Sequence, residues 1–240
     1  MIDRGSRLHF RALLCLAILV TPLLPLAASD PISFSADKVR SIFASGREET
    51  LLSGHAWIKT GDIEIRAGEI RLYGNKQRYI ESTGTVTIHD AKRQVNLSGD
   101  VVFFDRDSEI LKVTGNTVME DFKNDMLVRG GILESRNKET ISIVQVGVRV
   151  FKKAIVARSE MLIYRRDEDM VELTGLPFVT KKKDEYRAST ITINLKTEEI
   201  QLLGRVQGMV QAKNDAPAAS PGPSATPAPA ASPSPPASQP

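Results

Sequence analysis

Glu81-Ser82-Thr83-Gly84-Thr85-Val86-Thr87-Ile88 alternates polar and apolar residues on the far side of a glycine, and the same grammar returns about every thirty residues. Gly54, Gly84, Gly115, Gly147, Gly175 and Gly204 succeed one another at steps of 30, 31, 32, 28 and 29 residues. Half a period out of phase run Gly68, Gly99, Gly130, Ser159 and Ser189, at steps of 31, 31, 29 and 30. A fixed period of this length marks a stacked architecture whose units bury their apolar faces only against one another.

Around each glycine the period is two. Asp62-Ile63-Glu64-Ile65-Arg66, Glu69-Ile70-Arg71-Leu72-Tyr73 and Thr190-Ile191-Thr192-Ile193-Asn194-Leu195 have one wet and one apolar face. Such alternation, rich in Ile, Val and Thr, predicts strands. The segment Asp37 to Ala44 reads as an edge strand or a single helical turn. A glycine inside a strand marks a bulge or a corner. Each fifteen-residue unit is therefore expected to cross one sheet, turn, and cross a facing sheet. Eleven such units at about 4.8 Å each give a length of about 50 Å. A parallel β-helix would also repeat and alternate. The charged turns, among them Gly74-Asn75-Lys76 and Asp105-Arg106-Asp107, favour antiparallel pairing. The expectation is an all-β, repetitive, twisted antiparallel β-jelly roll over residues 30–212, open at both ends.

The chain ends differ from this body. Arg4, Arg7 and Arg11 precede an uncharged apolar stretch from Ala12 to Leu26, and Ala27-Ala28-Ser29 follows. That order predicts a cleaved secretory signal over residues 1–29. The stretch is short for a membrane span of about 20 residues, and Pro22 and Pro25 interrupt it. From Ala216 to Pro240 the chain is almost wholly Ala, Pro, Ser, Thr and Gly, without charge. Residues 213–240 are read as a disordered spacer, because so little apolar area cannot offset the entropy of ordering.

Charge and chemistry exclude several classes. Residues 1–29 hold three Arg and one Asp, which leaves 29 basic against 28 acidic side chains. That balance argues against nucleic acid as a partner. Cys15, the one cysteine, lies in the signal, so the remainder has neither disulfide nor thiol nucleophile. His55 and His89 have no carboxylate or cysteine at metal-ligand spacing. Asp105 with Asp107 reads as a turn pair. No Gly-rich phosphate loop precedes a helix, and no Gly-x-Ser-x-Gly grammar is present. The sequence carries no sign of an enzyme, a metal or a cofactor.

Two surfaces remain. By alternation, Ile63, Ile65, Ile70, Leu72, Val86, Ile88, Val101, Phe103, Val118, Ile132, Met161, Ile163, Phe178, Ile191 and Ile193 are expected to face inward. Together they form a line of apolar side chains suited to acyl chains, at about 0.8 kcal/mol for each methylene kept from water. The end runs that contain Ile32 and Phe34, and Ile200, Leu202 and Val206, are candidate edge strands. Pairing of one end with the opposite end of another copy is heterologous and builds open filaments. Lys152-Lys153, Arg165-Arg166 and Lys181-Lys182-Lys183 are clusters that could meet phosphates.

Ser35-Ala36-Asp37-Lys38-Val39, Leu52-Ser53-Gly54-His55-Ala56-Trp57-Ile58, Gly61 through Ile70 and Glu81 through Ile88 together have a cadence. It resembles the OstA-like (LptA) family of periplasmic lipopolysaccharide-transport proteins. The resemblance covers roughly residues 32–210. It implies a V-shaped jelly roll whose apolar groove binds the lipid A acyl chains of lipopolysaccharide or a related glycolipid. It also implies head-to-tail self-association into a periplasmic bridge. The implied partners are an inner-membrane transporter component and an outer-membrane insertase of the same fold. Ala67-Gly68 and the Pro/Ala tail depart from the family pattern. A membrane-anchored relative in the same transporter, LptC, shares that fold, and the prolines of the N-terminal stretch count against it. The rivals are a polysaccharide-processing β-helix enzyme and a passive, non-catalytic β-repeat scaffold with a sealed core.

Overall fold

A computed structural model describes residues 30–44 and 46–211. The signal and tail expectations fall on residues outside that range. Sixteen strands form one antiparallel sheet. In chain order they are β1 (Ile32–Ser35), β2 (Lys38–Ile42), β3 (Glu49–Thr60), β4 (Ile63–Tyr73), β5 (Tyr79–Asp90), β6 (Val95–Asp105), β7 (Ile110–Asp121) and β8 (Met126–Arg136). There follow β9 (Ile141–Lys152), β10 (Ile155–Arg165), β11 (Met170–Thr174), β12 (Phe178–Lys181), β13 (Asp184–Arg187), β14 (Thr190–Asn194), β15 (Ile200–Leu203) and β16 (Gln207–Met209).

Each strand from β3 to β10 is a full rung of 11 or 12 residues, bent at its middle. The end rungs are split at the bend. β1 and β2 pair with opposite halves of β3, and β11 and β12 pair with opposite halves of β10. β14 and β13 extend those halves, and β15 and β16 close the series. The count is thus twelve rungs rather than eleven, because the exposed run from Lys38 joins β1 as a short first rung.

The bend has a local cause. In each of β3, β5, β7 and β9 two successive residues take positive φ, as at Gly54 (76°) with His55 (45°) and Gly115 (76°) with Asn116 (48°). The strand gains one residue over its even-numbered neighbours there, and the ladder shifts register. An extra left-handed residue is the geometry of a bulge that turns a strand. The uneven steps of 32 and 28 in the glycine series also find their reason. At the β9 corner the first left-handed position holds Val146 (φ 70°), and Gly147 takes the second (φ 62°). The out-of-phase glycines serve differently. A Cβ on Gly99 would lie 2.4 Å from Val113 Cγ1 and 3.1 Å from the Gly115 carbonyl, so close approach of neighbouring strands excludes a side chain.

The row of corners folds the sheet into two leaves. Leaf I contains β2, β11, β14, β15 and the half-rungs such as Ile110–Thr114. Leaf II contains β1, β12, β13, β16 and the half-rungs such as Thr117–Asp121. The leaves pack face to face around one apolar cluster that runs from Leu52 to Leu195. This is the all-β, antiparallel, repetitive fold expected from the sequence. Among the described residues, β1, β2, β15 and β16 each pair on one side only, which leaves both ends open.

Candidate functional site

The interior is built from rows of directly opposed residues. In leaf I one row reads Val39, Leu52, Ile70, Ser82, Val102, Val113, Leu133, Val144, Leu162, Leu173, Ile191 and Leu202, one residue from every rung. In leaf II the facing row reads Phe34, Ile58, Ile65, Ile88, Leu97, Met119, Val128, Val150, Ala157, Val179, Tyr186 and Gly208. Between the end rungs these side chains are almost wholly withdrawn from water, except Tyr186, which is half-buried. At the first rung they surface, with Phe34 49% and Val39 45% exposed. At the last, Leu202 is half-buried.

Of the fifteen residues expected to face inward, Ile63, Ile65, Ile70, Leu72, Val86, Ile88, Ile191 and Ile193 are buried. The other seven face outward. Val101 and Ile132 are exposed, and Phe103, Val118, Met161, Ile163 and Phe178 are half-buried on the outer face. Their neighbours Val102, Phe104, Met119, Leu133, Leu162, Tyr164 and Val179 point in. In stretches such as Val101-Val102-Phe103-Phe104 both faces are apolar, so alternation does not choose the phase. The register beyond each corner chooses it. The interior is also packed rather than hollow. Ile65, Ile70, Ile80 and Leu162 have no accessible surface, which corrects the expectation of a standing apolar groove.

Opposite the corners, the hairpin turns of the two leaves meet as a pair of lips. Within a lip the turns are joined by backbone hydrogen bonds, such as Phe122 N–H to the Gln94 carbonyl (3.1 Å) and Asn137 N–H to the Glu109 carbonyl (3.1 Å). From lip to lip, among the described residues, the contacts are made by side chains. Lys123 Nζ of leaf II bonds Asp169 Oδ1 of leaf I at 2.9 Å, and Asn124 Nδ2 reaches the same oxygen at 3.0 Å. The Tyr164 hydroxyl of leaf I donates to Asp121 and accepts from Asn124 Nδ2 at 2.7 Å. Arg93 holds Asp90 at 2.8 Å and crosses to the Asn137 carbonyl at 3.2 Å. Lys181 and Lys153 both approach Glu198, at 3.5 and 3.7 Å.

Electrostatics follow from these contacts. Burial, then the Asp121 carboxylate, push the Tyr164 phenol up, so it stays a neutral donor. The Lys123 hydrogen bond holds the Asp169 carboxyl below its ordinary range. Burial pulls Arg166 down, and among the described residues its guanidinium hydrogen-bonds only Ser135, Ser142 and Asn137, at 3.3 to 3.4 Å. The basic clusters read from the sequence are therefore mostly engaged. Lys152 is buried on the Asn124 carbonyl, Arg165 meets Glu172 at 3.2 Å, and Lys153 and Lys181 meet Glu198. His55 bonds Asp37 (2.7 Å) and His89 bonds Asn96 (2.8 Å). Among the described residues no group of three or more His, Cys, Asp or Glu could hold a metal ion. Asp105 receives a two-point contact from Arg78, at 2.8 and 2.6 Å, as befits a turn carboxylate. The lip network was not legible beforehand, since its members lie some 40 residues apart. Their recurrence in successive turns was the available signal.

No family model and no curated protein matches the chain. Among solved structures, the chain is similar to LptH, described as the LptA homologous periplasmic component of the conserved lipopolysaccharide transport device from Pseudomonas aeruginosa. The identity is 9%, the match covers 76% of this chain and 96% of that one, and the TM-score is 0.25. A superposition that loose carries no inference about function.

Proposed function

We propose that the protein shelters the acyl chains of a glycolipid, of the lipopolysaccharide class, between its two leaves and hands them on through its open ends. The observation that carries this reading is the pair of facing rows, which run through every rung, are apolar except at Ser82 and Gly208, and surface at the first. Joined rung to rung, copies of such a molecule, or partners with the same edge, would continue the rows without interruption. The packed interior requires that the leaves part to admit a chain. They are joined by continuous backbone at the corners and by side-chain contacts at the lips, so the lips are the side that opens. A twelve-carbon chain taken from water contributes on the order of 9 kcal/mol, enough to offset several lip contacts at about 1 kcal/mol each.

The test is capture from the two faces. A photo-reactive residue at Ile191, which is buried, is expected to cross-link glycolipid in cells. One at Phe103, on the outer face, is expected to stay silent. Silence at Ile191, or equal capture at both, would favour a sealed scaffold.

The lip contacts give the reading a pH dependence. Asp169 is held below its ordinary range by Lys123, so it stabilises the closed lips at and above ordinary carboxylate titration. That contribution is lost as pH falls through the depressed value. Loading of a fluorescent fatty acid is expected to speed up on acidification through that window, and Asp169→Asn to speed it at neutral pH. Loading rates indifferent to both would show that the lips are not the point of entry.

A further inference from the structure

One row of the outer face is charged in a way the interior function does not use. Across leaf II the registers place Arg129 opposite Arg149, Arg149 opposite Arg158, Arg158 opposite Phe178, and Phe178 opposite Arg187. These four steps span about 19 Å at the spacing of neighbouring strands. Like charges directly opposed on a sheet are destabilising. Among the described residues, no carboxylate forms an ion pair with Arg129, Arg149, Arg158, Arg187 or Arg205. Other outer arginines have partners: Arg66, on the same row toward the first rung, bonds Glu64 at 2.5 Å, and Arg71 bonds Glu49 at 2.9 Å, while Arg40 and Arg47, which have no ion pair among the described residues, stand apart from any such row.

The unanswered arginines converge on a cleft of about 770 Å³ at the corner side of this face, lined by Arg149, Arg158, Arg187 and Arg205 around Phe178. The guanidinium carbons of Arg158 and Arg187 lie 4.7 and 4.5 Å from the centre of the Phe178 ring. Stacking on the ring fixes both planes and leaves their N–H edges free. Glu160 is the one acidic side chain of the cleft, and its Oε2 accepts from the Gly147 N–H at 3.4 Å. Beside the arginines, Leu176 at the corner is 91% exposed and Val146 is 59% exposed.

We infer that this cleft is a phosphate site, and that its ligand is the phosphorylated headgroup of a lipid. Planar guanidinium forks match phosphate oxygens two at a time, and a second negative charge on the ligand relieves the repulsion along the row. The exposed Leu176 and Val146 suit the apolar border of a headgroup and give a free ion nothing. The inference rests on the lipid reading only for the molecule that carries the phosphate. The Ile191 cross-link reports on the interior and not on this face, so either result can fail without the other.

The experiment uses the full chain and vesicles of phosphatidylcholine with or without phosphatidic acid, with binding read by co-sedimentation. Phosphatidic acid is expected to recruit the protein, pure phosphatidylcholine to leave it in solution, and added salt to release it. Arg149→Gln, Arg158→Gln and Arg187→Gln are each expected to weaken recruitment about fivefold, while the thermal midpoint of Arg149→Gln rises, because Arg149 is opposed by Arg129 on one side and Arg158 on the other. That combination separates a binding site from a merely structural row. Should Arg158→Gln or Arg187→Gln misfold through loss of the contact with Phe178, Arg149→Gln alone decides. Equal recruitment to both vesicles, or no loss in the variants, overturns the site. Displacement by inorganic pyrophosphate at the lipid's own concentration overturns the headgroup, and equally tight binding of polyglutamate overturns the phosphate.

Discussion

Leu133→Asp is expected to abolish folding, whereas Ile132→Asp, one residue earlier, is expected to leave a cooperative native state. Leu133 is 1% exposed and lies at the centre of the leaf I row, between Val113 and Val144. A carboxylate there has no partner, and its cost exceeds about 4 kcal/mol, a large share of the stability of any domain. Ile132 is 40% exposed on the outer face, opposite Gln145 and Thr114. An aspartate there remains in water and costs about 1 kcal/mol, chiefly through β-propensity. Urea melts of the two variants check the contrast. Similar midpoints for both would mean that the phase of β8 is assigned to the wrong face.

The second large effect concerns assembly. Leu202→Lys is expected to abolish concentration-dependent oligomers while the monomer stays folded, and Val39→Lys to do the same from the opposite end. Both residues belong to the apolar row where it meets solvent, Leu202 in the last rung and Val39 in the first. An inward-pointing charge on an edge strand is a device by which natural sheets refuse further pairing. Near the molecular end the lysine reaches water along its own stem, so the folded monomer tolerates it. Sedimentation velocity across a dilution series distinguishes the outcomes, and oligomers that persist in both variants would remove the end-to-end pairing. Mixing the two variants gives a further check, because each retains one intact end and together they should form dimers and nothing longer.

The sequence makes the period, the strand class, the corners and the open ends legible, because each is a local property. Alternation of Ile and Thr in Thr190 to Leu195 states both a strand and its inward face, and Gly84 followed by Thr85 states a corner. The face of a strand is not local where both sides are apolar. Val101 to Phe104, Ile132-Leu133 and Met161 to Tyr164 each offer two apolar phases, and they lie on the unbulged rungs, where the inward phase reverses at the corner. The extra residue of a bulged rung keeps the phase the same in both halves. Strict alternation carried through an unbulged corner puts Val101, Ile132 and Ile163 inside, whereas two successive corner residues, as Asp100 and Val101, in fact face outward. The arginine row is harder still. Arg129, Arg149, Arg158 and Arg187 are isolated along the chain, and only the register brings them side by side. Runs such as Lys181-Lys182-Lys183 are conspicuous in the sequence, yet Lys181 is tied to Glu198 across the lips.

The alternation of bulged and unbulged rungs restricts how such a molecule can change its length. Within a leaf each rung pairs only with the rungs beside it, so material can be added along the stack without disturbing the pairing of the rest. A single inserted strand would set two bulged rungs side by side and exchange the leaves for everything downstream. A whole hairpin of about thirty residues restores both the direction of the chain and the order of the corners. Growth by tandem duplication of that unit is therefore tolerated where growth by half of it is not. Homologues of differing reach should accordingly differ by even numbers of strands.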